Sequence, residues 1–153
     1  MAEPKFVPKS GQVDYTNIRY APVVDVIVAH KGKILLVQRS PDMRLYPNYW
    51  HCISGFLDDQ KSIEEKAREE LAEELSLNTS SIVSLERGQV VLSEAPEYNK
   101  TWLAVPVLAK VSNTAYKLDW EAARAKWFTP AQAKKLQLIP GVLPILEQLF
   151  PEK

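Results

Sequence analysis

The 153-residue chain has a single cysteine, no excess of charge of either sign and no long apolar run. Because Cys52 is alone, the sequence excludes an intramolecular disulfide and a thiolate metal cluster. The 19 Lys and Arg residues balance 19 Asp and Glu residues, which argues against a protein that coats nucleic-acid polymers but allows a local phosphate pocket. The first residues lack an apolar signal-like stretch, and no run approaches membrane-spanning length. We therefore expect a cytoplasmic protein with no membrane partner.

The length predicts one domain with a full hydrophobic core. Residues 1–20 are polar and are interrupted by two prolines and a glycine, which predicts an extended N-terminal arm with a short strand near residues 13–18. The arm either pairs across a homodimer or covers the pocket of its own chain. Residues 21–153 are predicted to form the single folded domain.

Alternation and capping signals give the order of elements in this domain. Strands are predicted at 23–29, 33–39, 82–92 and 101–111, with a short apolar segment at 50–56 and helices after Ser62, after Thr129 and over 142–150. The helix after Thr129 is predicted to run to about residue 138. This order, strands followed by one helix, more strands and C-terminal helices, is typical of an α/β fold.

The helix after Ser62 carries an unusual density of acid. Ser62 and Glu65 form a capping-box pattern at its start, and Glu70, Glu73 and Glu74 then follow at i, i+3 and i+4 on one face. Like charges at i, i+4 cost roughly 0.2–0.5 kcal/mol per pair on an exposed helix. A hard divalent cation bound by these carboxylates would remove that conflict. The alternative interpretation is an acidic face that is simply solvated.

Residues 55–77, GFLDDQKSIEEKAREELAEELSL, resemble the Nudix box, G-x5-E-x7-R-E-U-x-E-E-x-G-U, in which U is a bulky aliphatic residue. Gly55 matches the motif glycine, and the three glutamates match its acidic positions. The chain departs from the motif at Lys61, Glu69 and Ser76, which replace a glutamate, an arginine and a glycine. Since the first two replacements exchange the signs of a pair that braces the loop in the family, we hypothesise that Lys61 and Glu69 form a reversed ion pair.

The resemblance implies a Nudix fold, a mixed β-sheet sandwiched between helices. It also implies that Mg²⁺ or Mn²⁺ is bound by Glu70, Glu73, Glu74 and the carbonyl of Gly55. Glu121 stands six residues before a tryptophan, a spacing that in relatives marks a metal ligand or base. The resemblance therefore makes Glu70, Glu73 and Glu121 the candidate catalytic residues, with Glu70 and Glu121 sharing the candidacy for general base.

The function implied by this resemblance is metal-dependent hydrolysis of a diphosphate bond in a nucleoside diphosphate linked to another group. Arg39 and Arg44 are candidate phosphate contacts, and Tyr46 or Trp50 is a candidate stacking platform for a base or ring. The alternatives are a degenerate, non-catalytic Nudix module that binds a nucleotide or protein, an isopentenyl diphosphate isomerase-like enzyme, and a structural domain. The position of Cys52 disfavours the isomerase.

Overall fold

The structure, a computed structural model, describes residues 5–152. Eight strands and three α-helices are present in this part of the chain. The strands are β1 (Tyr20–His30), β2 (Lys33–Arg39), β3 (Trp50–His51), β4 (Ile53–Phe56), β5 (Ile82–Arg87), β6 (Val91–Ala95), β7 (Lys100–Val111) and β8 (Ala122–Phe128). The helices are α1 (Ile63–Leu75), α2 (Pro130–Ala133) and α3 (Val142–Leu149). Among the described helices, none has the length and apolar character needed to cross a bilayer.

The strands form one mixed sheet in the order β3-β2-β1-β7-β5. The central pair, β1 and β7, is parallel, whereas β2 and β4 pair with β1 in antiparallel fashion. Strand β6 joins β7, and β8 joins β2. This mixed sheet, covered by helices on both faces, confirms the predicted fold class.

Both faces of β1 are buried, because the side chains of a strand alternate between the two sides of the sheet. Ala21, Val23 and Ile27 pack with α3 in one hydrophobic cluster. Val24 and the other even-numbered valines of β1 pack with the apolar stripe of α1 in a second cluster. The sheet therefore separates the acidic helix from the C-terminal helices.

Helix α1 begins and ends as local chemistry dictates. Ser62 and Glu65 form both hydrogen bonds of the predicted capping box. The helix ends at Leu75, where Ser76 adopts the left-handed conformation (φ 54°) and its N–H donates to the carbonyl of Ala72. This is the conformation that the glycine of the Nudix motif would supply without strain.

The N-terminal arm packs against its own chain. Gln12 donates from its side chain to the Asp58 carboxylate (2.9 Å), and Val13 donates from its backbone to the Asp58 carbonyl (2.7 Å). The ring of Tyr15 stacks on Phe56, with centroids 5.7 Å apart. The predicted strand at 13–18 is wrong, because Val13 bonds to the loop before α1, Ile18 bonds back to Tyr15 in a local turn, and these residues form no sheet ladder. The first four residues of the predicted arm lie outside the described residues.

Two further boundaries differ from the sequence prediction. The run 82–92 is divided into β5 and β6, and β6 extends to Ala95, three residues beyond the predicted end of the run. Helix α2 stops at Ala133, and the following residues instead turn toward β3, where the N–H of Trp50 donates to the carbonyl of Gln137.

Candidate active site and metal centre

The acidic face of α1 brings three carboxylates together at the surface. Oxygens of Glu69, Glu70 and Glu73 all lie within 4.8 Å of one another. Glu74 is buried, accepts a hydrogen bond from the N–H of Ser54 (3.3 Å) and shares a hydrogen bond with Glu70. The structure therefore places Glu70 beside both of the other predicted acidic ligands, with Glu73 and Glu69 on one side and Glu74 on the other.

The electrostatics of this cluster favour a bound cation. Burial, followed by the charges of Glu73 and Glu121, raises the pKa of Glu70 to about 8. Burial and the charges of Glu121 and Glu70 raise the pKa of Glu74 well above its usual range. Burial and the charge of Glu69 also raise the pKa of Glu73. A divalent cation would offset this repulsion and allow the ionised forms, and carboxylate oxygens are the donors that Mg²⁺ and Mn²⁺ prefer. These residues fit the ion.

Gly55 is required because Glu70 lies against its backbone. A Cβ built on Gly55 would stand 2.2 Å from Oε1 and 2.3 Å from Cδ of Glu70. Any side chain at this position would therefore displace the Glu70 carboxylate. The glycine of the box allows the helix carboxylates to approach the strand that carries it.

The loop of residues 112–121 brings further acid to the same place. Its backbone docks on the end of α1, where the N–H of Lys117 donates to the carbonyl of Leu75 (2.9 Å) and that of Asp119 to the carbonyl of Glu74 (3.3 Å). The charge of Glu121, at the end of this loop, contributes to the raised pKa values of Glu70 and Glu74.

Asp119 was not among the predicted site residues. The charge of Asp119 contributes to the raised pKa values of Glu73 and Glu74. Its carboxylate accepts a hydrogen bond from the N–H of Glu121 (3.1 Å). The sequence signal was the acid two residues before Glu121. It could be interpreted only once the loop was seen to dock on α1.

Two lysines join the loop before α1 to the helix. The ammonium of Lys61 bonds the carboxylate of Glu69, so the reversed pair expected from the sequence is in contact. Lys66, which the sequence analysis did not single out, bonds Asp58 (3.1 Å), Asp59 (3.3 Å) and Glu69 (3.3 Å). The Lys66 side chain is only 5% exposed, compared with 45% for Lys61.

Lys66 is therefore the more deeply held cation of this loop. Burial opposes its charge, but the hydrogen bond and charge of Asp58 outweigh that effect and raise the pKa of Lys66. A buried ammonium held by three carboxylates fixes the loop against α1 more firmly than an exposed pair does.

The predicted phosphate contacts, Arg39 and Arg44, lie at the end of β2 and in the loop that follows it. The Nε of Arg39 donates to the carbonyl of Leu45 (2.8 Å) and so holds this loop. Arg44 is exposed. Its charge, after burial, helps to lower the pKa of Lys100. Contact of either arginine with a phosphate stays a prediction.

The predicted stacking residues occupy the core instead. Tyr46 is 6% exposed and Trp50 is 7% exposed. The hydroxyl of Tyr46 accepts a hydrogen bond from the indole N–H of Trp102 (3.2 Å). The ring of Trp50 packs edge-on against Phe128, with centroids 5.3 Å apart. Because both rings are enclosed by protein, the structure does not support the stacking interpretation for either residue.

Comparisons with solved structures identify the fold. The MutT NUDIX hydrolase from Burkholderia pseudomallei matches with a TM-score of 0.74 and 19% identity, over 86% of this chain and 98% of that chain. The MutT protein from Methanosarcina mazei matches with a TM-score of 0.70 and 20% identity, over 86% and 93% of the two chains. The NUDIX domain of Shewanella oneidensis NrtR, solved with ADP-ribose, matches with a TM-score of 0.67 and 21% identity, over 94% and 91%.

At these identities the structural likeness shows the fold, and no curated protein sequence matches the chain. The family is decided by a sequence-family model, that of the NUDIX domain, which matches residues 19–149. The chain belongs to the NUDIX family. The box from Gly55 to Leu77 lies inside the matched region.

Membership of the NUDIX family places the chain among the Nudix-type pyrophosphohydrolases. Nudix hydrolases generally use divalent metal ions, which agrees with the chemistry of the carboxylate cluster. The family therefore gives the class of reaction but not the substrate, the particular ion or the role of each residue.

Proposed function

We propose that this Nudix protein hydrolyses the diphosphate bond of a nucleoside diphosphate linked to another moiety, with Mg²⁺ or Mn²⁺. The observation that carries the proposal is the crowding of Glu70 with Glu73 and with buried Glu74. Mutually repelling carboxylates held in one place are costly unless they serve to bind a cation. The proposed ligands are Glu70, Glu73, Glu74 and the carbonyl of Gly55.

When bound, the cation would neutralise charge on the diphosphate and lower the pKa of a coordinated water. The residues of the chain hold the reacting groups and move the proton. The water oxygen forms a bond to phosphorus, the phosphorus–oxygen bond to the leaving phosphate breaks, and a carboxylate takes the proton of the water. Glu70 and Glu121 are the proposed bases, as the resemblance to the Nudix box and the spacing of Glu121 from Trp127 imply. The charge of Glu121 contributes to the raised pKa of Glu70. Glu73 stands beside them as a ligand and a further catalytic candidate.

A cavity of about 350 Å³ adjoins the carboxylate cluster and offers room for part of a substrate. It is lined by Lys9 and Gln12 of the arm and by Asp59, Lys61 and Glu69 of the box region. The presence of arm residues in this lining supports the interpretation that the arm covers the pocket of its own chain. A homodimer stays a prediction.

Two structural relatives suggest the substrate class. One is the NrtR domain solved with ADP-ribose, and the other is described as an Ap4A hydrolase from C. elegans, which matches with a TM-score of 0.65 and 21% identity over 86% of this chain and 95% of that chain. Both compounds contain a phosphoanhydride attached to adenosine. A nucleotide of this type is the proposed small-molecule substrate.

The test is nucleoside monophosphate or phosphate release from a panel of dinucleotides, ADP-ribose, nucleotide sugars and nucleoside triphosphates, with Mg²⁺ or Mn²⁺. We expect turnover of at least one compound, a loss of about 100-fold or more in Glu73→Gln, and no change in Glu147→Gln. Glu147 is the matched control because it is an exposed helix carboxylate on α3, away from the site. Activity that is equal in the two variants would contradict the assignment.

The non-catalytic module remains the alternative, since the chain departs from the box at Lys61, Glu69 and Ser76. The structure gives two of these residues a mutual contact and gives the third the backbone conformation of the glycine it replaces. Failure of the whole panel, together with no Mg²⁺ or Mn²⁺ binding by calorimetry, would establish the module instead. The isomerase is further disfavoured because burial raises the pKa of the Cys52 thiol well above its usual range.

A further inference from the structure

A second group of potential metal ligands lies inside the protein, apart from the acidic face of α1. It consists of Asp25 on β1, His51 at the end of β3 and Cys52 between β3 and β4. One ligand atom of each residue lies within 4.8 Å of those of the other two. The three residues are 5%, 8% and 1% exposed, respectively.

The sheet explains why these residues meet. The segment that contains β3 and β4 pairs with β2 through His51 and then with β1 through Ile53 and the residues after it. Cys52 lies where this segment passes from its pairing with β2 to its pairing with β1. Asp25 stands opposite Ser54 in the β1–β4 ladder and so lies next to this crossing.

Asp25 is an acid in an apolar strand and lacks a full set of partners. Its Oδ1 has no hydrogen-bond partner among the described residues and is fully enclosed. It faces the Nε2 of His51 at 4.0 Å, a distance too long for a hydrogen bond. Buried carboxylate oxygens without a partner cost free energy and call for an explanation such as an ion.

The donor atoms of these three side chains are of the kinds that bind Zn²⁺. Imidazole nitrogen, thiolate sulfur and carboxylate oxygen all bind Zn²⁺, at about 2.0–2.3 Å. The Sγ of Cys52 lies 3.8 Å from the Nδ1 of His51. Two ligands of one tetrahedral ion stand roughly 3.3–3.7 Å apart at those bond lengths. Because Asp25 faces the other ring nitrogen, Nε2, an ion bound by Cys52 and the Nδ1 of His51 requires the Asp25 carboxylate to approach from within the 4.8 Å that now separates the three ligand atoms.

We propose that Asp25, His51 and Cys52 form a buried site for one thiophilic divalent cation, such as Zn²⁺, separate from the carboxylate site of the Nudix box. Histidine binds a metal through a nitrogen of its neutral imidazole, and the Nδ1 of His51 is the nitrogen that faces the Cys52 sulfur. Binding to Cys52 displaces the thiol proton into solvent.

The new site also has a link to the box. The side chain of Ser54 hydrogen-bonds Asp25, and the backbone N–H of the same residue donates to Glu74. Ser54 therefore contacts both clusters. An ion on Asp25 would stiffen the strand that holds Gly55 and Ser54 against α1.

The probe is Co²⁺, because a thiolate ligand gives it a near-ultraviolet charge-transfer band that oxygen ligands do not give. The full-length protein is incubated with Co²⁺ in excess Mg²⁺, which occupies hard-oxygen sites. Because the site is buried, a second sample is refolded with Co²⁺ present. We expect one equivalent of Co²⁺ per chain and the thiolate band.

Variants separate the two sites. Cys52→Ser should abolish the band, and His51→Asn and Asp25→Asn should weaken Co²⁺ binding by at least about tenfold, since even outer partners of metal ligands contribute that much. The matched control is His30→Asn, since His30 is the other histidine of the chain and bonds only the carbonyl of Val111 among the contacts described for its ring nitrogens. Glu73→Gln should also keep the band.

Absence of the band from both wild-type samples would overturn the proposal. A band that persists in Cys52→Ser, or that disappears in Glu73→Gln, would overturn it as well. The wild-type spectra decide the matter by themselves if a variant does not fold.

Discussion

Replacement of Gly55 by alanine tests how the box positions Glu70. The new Cβ would stand 2.2–2.7 Å from three side-chain atoms of Glu70, whereas ordinary contacts begin near 3.4 Å. The Glu70 carboxylate must therefore move by about 1 Å, a displacement that in an active site can cost about 100-fold in rate. A hundredfold loss corresponds to about 2.7 kcal/mol of transition-state stabilisation. The backbone carbonyl of residue 55 is kept, so the loss would report on Glu70.

We expect Gly55→Ala to lower both turnover and Mn²⁺ affinity while the protein stays folded, because the atoms that must move are the outer part of a long side chain. Turnover, calorimetric titration with Mn²⁺ and thermal unfolding followed by circular dichroism measure the three quantities. Gly88→Ala is the matched control, since its Cβ would meet the Oε1 of Gln148 at 2.4 Å, away from the carboxylates. A folded Gly55→Ala protein with wild-type Mn²⁺ affinity and turnover would refute the reasoning.

Three further predictions concern the stability of the box region. Ser76→Gly should raise the free energy of unfolding in urea by about 0.5–1 kcal/mol, because glycine adopts the observed φ of 54° without strain; a decrease would contradict this account of the helix end. Lys66→Met should cost about 3 kcal/mol by leaving the buried Asp58 carboxylate without its cation, whereas exposed Lys61→Met should cost less than about 1 kcal/mol; equal losses on urea unfolding would contradict the distinction between the buried and the exposed pair. In metal-free protein the pKa of Glu70 is raised from 4.5 to about 8, so the folded state binds more protons than the unfolded state between these pH values and stability should fall as pH rises through that window. Saturating Mg²⁺ should remove the decline in unfolding experiments, and a decline that persists with Mg²⁺ would argue against Glu70 as a ligand.

The sequence predicted the elements whose signals are local. Helix α1 carries its own capping box, and the hairpin between β1 and β2 carries its own turn, with positive φ at Lys31 and Gly32. The chemistry of the acidic face was also readable, because i, i+3 and i+4 spacing fixes which side chains share a helix surface.

Features that depend on residues distant along the chain could not be predicted from the sequence. Strand β8 forms because it pairs with β2, and its own sequence, AARAKWF, mixes basic and apolar residues without a clear period. The burial of Lys66 depends on the path of the loop that carries Asp58. Tyr46 looked like a loop aromatic available to a ligand, yet the fold places its hydroxyl next to the indole of Trp102.

The same limit applied to the second cluster. Asp25, His51 and Cys52 are adjacent only because one segment crosses from β2 to β1. Cys52 is buried between β3 and β4, but nothing in the sequence indicated an acid opposite the residues that follow it. The pairing of the strands, and not the spacing of these residues along the chain, brings the three side chains together.

Calorimetric titration of Mg²⁺ into the wild-type protein and into the double variant Glu73→Gln/Glu74→Gln tests the central claim most directly. We predict saturable binding to the wild-type protein and loss of that binding in the folded double variant. Equal affinity of the two proteins for Mg²⁺ would contradict the claim that the acidic face of α1 is a metal centre.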